Sequence, residues 1–98
     1  MKQRFFGTFL LVLTLLGACK SLQEKGTEQY LSGQYQYAIG TFSQILEEDP
    51  DNLEANEIVA ESYRLSNRIE NSAPYYQKLV EEDPSFNRYF FLGQSLKA

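Results

Sequence analysis

The sequence contains no histidine, no tryptophan, a single methionine and a single cysteine. Without histidine there is neither an imidazole general base nor a histidine metal ligand, so Ser32 and Ser66 lack the partner that would activate a hydroxyl. One cysteine excludes an internal disulfide framework and a cysteine-rich zinc site. The glycines stand apart from one another, which leaves no loop able to cradle phosphate. Basic charge is also scarce: nine Lys and Arg against thirteen Asp and Glu give −4, the wrong sign for a nucleic-acid footprint. The longest apolar stretch, Phe5 to Leu16, is interrupted by Gly7, Thr8 and Thr14 and falls short of the roughly 20 residues of a spanning helix. What remains is 98 residues, 43% apolar and 14% aromatic, too hydrophobic for disorder throughout and sufficient for one small domain. The expectation is a non-enzymatic protein without cofactor or metal.

The apolar stretch follows Lys2 and Arg4 and ends in Leu16-Gly17-Ala18-Cys19. A basic start, a short hydrophobic core and small residues before cysteine fit a secretory leader. The last four residues resemble the lipobox of bacterial lipoproteins. That resemblance implies cleavage before Cys19, diacylglycerol on its thiol and a further acyl chain such as palmitate on the new N-terminus. Residues 1–18 would then be the signal peptide and Cys19 the lipid attachment point. An uncleaved anchor or an ordinary secretory leader are the alternatives. Processing removes Lys2 and Arg4, leaving seven basic residues against thirteen acidic, a charge of about −6. Lys20 stands where enterobacterial lipoproteins retained in the inner membrane carry Asp. The resemblance therefore implies a lipid-anchored protein of the outer membrane, facing the periplasm.

Beyond Cys19 the chain repeats itself. Glu47-Glu48-Asp49-Pro50 recurs 34 residues later as Glu81-Glu82-Asp83-Pro84, and the same offset pairs Leu31-Ser32-Gly33 with Leu65-Ser66-Asn67, Phe42 with Tyr76, Ile45 with Leu79 and Leu46 with Val80. A 34-residue period with matched apolar positions is the mark of a helix–turn–helix array. Tyr35, Ala38, Ile39, Phe42, Ile45 and Leu46 fall on one stripe of a 3.6-residue helix, and Ile69, Ala73, Tyr76, Leu79 and Val80 repeat it. No alternation suggests a strand. These residues resemble the tetratricopeptide repeat (TPR) family. Its marker positions fall on Gly26, Gly33, Tyr35, Ala38, Phe42 and Pro50, then on Ala60, Tyr63, Asn67, Ile69, Ser72, Tyr76 and Pro84. The resemblance implies an all-α superhelix over residues 19–98, with repeats at about 19–52 and 53–85 and the first helix of a third at 86–98. In that third helix Tyr89, Leu92, Gly93 and Leu96 are expected to face inward. Lys25 and Gln29 depart from the pattern, standing where apolar residues belong, and Ser72 replaces an alanine.

Local signals agree with these boundaries. Gly33 and Asn67 suit the left-handed residue that ends a helix. Pro50 and Pro84 close the second helices, and Asp51 followed by Glu54 reads as a capping box. Pro74 conflicts with a helix running through it, so that helix is expected to start late, near Ser72, or to bend. Glu47, Glu48, Asp49 and Asp51, like Glu81, Glu82 and Asp83, read as solvated turn residues, lacking both the ligand spacing of a calcium loop and a desolvating pocket.

The resemblance also assigns a surface. First helices of such repeats line the concave side, which places ligand-facing positions at Gln23, Thr27 and Tyr30, at Glu54, Glu57, Glu61 and Arg64, and at Phe90, Gln94 and Lys97. Glu57 and Glu61 stand where some relatives carry the Lys and Asn that grip an acidic C-terminus, so a basic or neutral protein segment is the expected ligand. Tyr35, Phe42, Tyr63 and Tyr76 are expected in the core. Tyr37, Tyr75, Phe90 and Phe91 lie off the stripes and, with Phe86, are expected to form an exposed patch. A repeat array ends in a polar cap, whereas this sequence closes on Phe90-Phe91-Leu92. A partner, self-association through the last helix, or a longer parent protein would each account for that.

Ala60-Glu61-Ser62-Tyr63-Arg64-Leu65-Ser66-Asn67-Arg68 resembles TPR arms of Bacteroidota envelope proteins, some of which continue into an OmpA-like peptidoglycan-binding domain. The expected role is a membrane-anchored TPR scaffold for protein partners in the cell envelope. A carrier of extended substrates, or the N-terminal piece of such a larger peptidoglycan-associated protein, are the alternatives. The first helix follows Cys19 within about three residues, or about 10 Å of extended chain, which would hold the module close to the headgroups.

Overall fold

The computed structural model describes residues 21–83 and 86–97, with side-chain surroundings for 21–83 and 91–97. The proposed signal peptide and Cys19 lie outside the described residues. Helix α1 covers residues 21–31, α2 Tyr35–Glu48, α3 Leu53–Leu65, α4 Ala73–Glu82 and α5 Phe86–Lys97, and a 3₁₀ turn, Ile69–Ser72, leads into α4. No strand occurs among the described residues. The fold is all-α, each helix packing on the next through a short turn. Among the described residues, no helix is long and apolar enough to cross a membrane.

The 34-residue period of the sequence is also a period of the backbone. Gly33 and Asn67 both adopt positive φ, at 77° and 62°. At each, the two hydrogen bonds of a Schellman cap form: Gly33 N–H to Tyr30 O and Gln34 N–H to Gln29 O, then Asn67 N–H to Arg64 O and Arg68 N–H to Tyr63 O. The second helices end alike, Asp49 and Asp83 donating their N–H to Ile45 O and Leu79 O.

Two buried clusters fasten the stack. Ile39 and Phe42 of α2 pack with Ala55 and Val59 of α3, while Ala60 of α3 packs with Tyr76, Leu79 and Val80 of α4 and Leu92 of α5. Each large apolar side chain sealed in this way contributes about 1.5–3 kcal/mol. Between α1 and α2 the fit is tight at Gly26, where a Cβ would lie 2.5 Å from the Phe42 ring. Of the expected core aromatics, Phe42 and Tyr76 are buried, whereas Tyr35 and Tyr63 are half-buried.

Several expectations need correction. The cap of α3 is Asn52, whose side chain accepts from Ala55 N–H at 3.0 Å, and Asp51 instead pairs with Lys78. The helix begins at Leu53, one residue later than an Asp51 cap requires. Pro74 sits in the first turn of α4, where its missing N–H costs nothing, and the segment before it winds as 3₁₀. Both the late start and the position of Ser72 as its N-cap agree with the reading of Pro74. In α5, Leu92 is buried but Leu96 is 71% exposed and Gly93 half-buried, because the inward face also runs through Phe91 and Ser95. Ser72, a departure from the repeat pattern, is fully buried and hydrogen-bonds the hydroxyl of Ser95, tying the 3₁₀ turn to α5.

Tyr75 and Phe91 are not part of an exposed patch. Tyr75 stacks on Tyr63 with centroids 5.9 Å apart, and Phe91 lies 5.6 Å from the Tyr76 ring. Tyr37 is exposed, and the side chains of Phe86, Tyr89 and Phe90 lie outside the described residues.

Candidate functional site

Helices α1 and α3 lie side by side, with Gln23 reaching Glu54 and Tyr30 lying near Glu61 and Arg64. The flank they share carries the expected ligand-facing residues. Gln23 of α1 donates its amide to the Glu54 carboxylate of α3, joining the two helices across this surface. Tyr30, the next-to-last residue of α1, is half-buried; burial and then the Glu61 charge raise its phenol pKa, with Arg64 acting in the opposite sense. Tyr30, Glu61 and Arg64 therefore belong to one neighbourhood. Thr27 is half-buried between Gln23 and Tyr30 along α1, while Glu54 and Glu57 are exposed.

Arg64 is the most heavily engaged residue of the surface. Its guanidinium pairs with Glu61, donates through Nε to the Tyr76 hydroxyl at 3.3 Å and lies 4.3 Å above the Phe91 ring. Burial disfavours its charge, but the hydrogen bonds to Glu61 and Tyr76 outweigh that and raise its pKa. The Tyr76 hydroxyl in turn donates to Glu61 at 3.1 Å. Burial, and the Glu61 carboxylate beside it, push that phenol far above its usual value. Glu61 and Arg64 share one helix face, and Tyr76 reaches them from the following helix.

The chemical character follows from this pairing. Arg64, the cation among the expected positions of α1 and α3, has its charge matched by Glu61, and Glu54 and Glu57 add two further carboxylates. Carboxylates outnumber cations at these positions of α1 and α3, and the Tyr76 and Phe91 rings lie against Arg64. A cleft of about 560 Å³ runs along α1, lined among the described residues by Gln23, Glu24, Thr27, Glu28, Leu31 and Ser32. It extends the surface from Gln23 and Thr27 towards the exposed Leu31.

On α5, Gln94 and Lys97 are exposed. Phe90 belongs to the helix, with its side chain outside the described residues. The aromatic that meets Arg64 is its neighbour Phe91, a residue the repeat pattern did not assign to this surface. Its signal was present in the register: Phe91 is the third-unit equivalent of Ile58, a half-buried edge position. Tyr76 was expected solely as core, and its hydroxyl was missed because the stripe shows which side a ring faces and says nothing of how far it reaches. The two carboxylate clusters, Glu47 to Asp51 and Glu81 to Asp83, are exposed as expected. Among the described residues, no group of acidic or sulfur side chains is arranged to hold a metal. No protein-family model matches this chain, and no curated protein matches it.

Proposed function

We propose that this protein is a lipid-anchored TPR scaffold of the bacterial envelope, non-enzymatic, which captures a basic or neutral segment of a partner protein along the α1–α3–α5 surface. The observation that carries the reading is the recurrence, at one 34-residue spacing, of helix ends, Schellman caps and ring-on-small-residue packing. That recurrence supports a repeat array, whose ordinary use is to present an extended surface to other proteins. The lipobox-like Leu16-Gly17-Ala18-Cys19 supports the anchor, and Lys20 supports the outer membrane as its site. The chain is already helical at residue 21, so an anchor at Cys19 keeps this surface near the bilayer.

A photoreactive amino acid at Glu57, in the surface, and at Gln44, exposed on α2, tests the reading in intact membranes. Position 57 should yield a discrete adduct with another protein and position 44 should not. Equal adducts from both, or none from position 57, would remove the proposed site.

A further inference from the structure

Asn56 follows Glu54 by two positions, about 200° round α3, and so points to the opposite side of that helix. There a cavity of about 370 Å³ opens where α2, the turn after it, α3 and α4 meet, lined by Ser43, Leu46, Glu47, Pro50, Asn56 and Tyr75. Asn56 is 4% exposed, and its amide nitrogen donates to Pro50 O at 3.1 Å and to Asn52 O at 2.9 Å. Backbone carbonyls only accept, so these two bonds fix which way the amide lies and turn its oxygen away from them. No group of the described residues donates to that oxygen. Yet it is not sealed in: among the described residues, the buried side-chain polar atom without a partner is Ser62 Oγ. The Asn56 oxygen therefore opens on the cavity that Asn56 lines.

The other polar groups of the cavity can accept as well. Glu47 is exposed at its rim and pairs with no cation among the described residues, and the Ser43 hydroxyl lies one turn before it on α2. The Tyr75 phenol stays protonated, its pKa raised by burial and then by the Tyr63 phenol. No cation lines the cavity, and Lys78, one turn after Tyr75 on α4, is engaged by Asp51. Leu46, Pro50 and the Tyr75 ring supply apolar wall. We propose that this cavity is a binding site for a primary alkylammonium group, its head between the Asn56 amide oxygen and the Glu47 carboxylate and its methylenes against Leu46 and Pro50. An ammonium brings three donors and no acceptor, the complement of a recess that offers acceptors, and its charge meets the carboxylate. A free amine and a lysine side chain present the same group, and the test separates them. This inference is independent of the surface on the far side of α3 and needs no ligand there.

The full chain in detergent micelles is titrated, at constant ionic strength, with n-butylammonium chloride, with n-butanol and with lysine capped at both ends as N-acetyl methylamide. NMR follows the side-chain amide of Asn56 and the backbone amides of Ser43 and Glu47. Butylammonium should shift all three signals saturably and bind at least about tenfold more tightly than butanol, which has the same stem without the charge. Glu47→Gln, at an exposed residue, should leave circular dichroism unchanged and weaken butylammonium about two- to fivefold. Capped lysine binding as tightly as butylammonium would support the proposal with a protein side chain as the source, and binding by butylammonium alone would support it with a free amine. Equal affinity for butanol, no saturable shift below about 50 mM butylammonium, or indifference to Glu47→Gln would overturn it.

Discussion

At the scale of the residue, the most demanding fit is Gly26 against Phe42. Glycine inside a helix ordinarily costs about 1 kcal/mol relative to alanine. Here alanine would have to displace a ring that is 1% exposed, with a Cβ 2.5 Å from one ring carbon and 2.7 Å from another. Overpacking of a sealed core costs about 1–3 kcal/mol and outweighs the gain in helix propensity. Gly26→Ala should therefore lower stability by about 1–2 kcal/mol in denaturant unfolding, and a Gly26→Ala, Phe42→Leu pair should recover part of the loss. Gly26 was marked by the resemblance to the repeat family, but the contact that requires a glycine was not legible, since periodicity specifies faces and leaves distances open. The polar residues fared similarly. Gln29 read as misplaced among apolar positions, yet it is half-buried and accepts the Thr41 hydroxyl at 2.7 Å. Ser72 read as a weakened alanine, yet its hydroxyl joins α5. Both departures have partners twelve or more residues away, and a pattern read along one helix does not reveal those.

At the scale of the element, helix ends decide where the sequence was readable. Gly33 and Asn67 were legible because positive φ restricts the choice of residue, and both adopt it. Pro74 was legible as a breaker, and its place in the first turn of α4 follows from its missing N–H. The start of α3 was misjudged by one residue, since Asp51 and Asn52 are both good caps and their order alone does not choose. Asn52 has the extended backbone of a cap and accepts from Ala55 N–H, while Asp51 is spent on Lys78 across to α4. Asn52→Ala should accordingly lower stability by about 1 kcal/mol. Asp51→Ala should change it far less, its ion pair being exposed. Thermal unfolding of the two variants side by side checks the assignment, and a larger loss from Asp51→Ala would return the cap to that residue.

At the scale of the whole molecule, a succession of helices bound neighbour to neighbour leaves one flank of α1 and α3 free for other work. The charges on that flank came from the sequence, and their mutual arrangement from the packing of α4 and α5 beneath them. The proposed anchor would place the surface. If Cys19 carries the lipid, Cys19→Ser should move the protein from the membrane pellet to the soluble fraction; a variant that still pellets after an alkaline wash would exclude that anchor. On the proposed reading the surface recognises a partner, and charge is the property that most separates a basic ligand from any other. The most direct measurement is the affinity of the full chain for the partner segment captured at position 57, beside a Glu54→Lys, Glu57→Lys variant that leaves the Glu61–Arg64–Tyr76 network intact. The account predicts at least about tenfold weaker binding by the variant, and wild-type binding that weakens as salt screens the surface. Affinity unchanged or strengthened by the two lysines would contradict it.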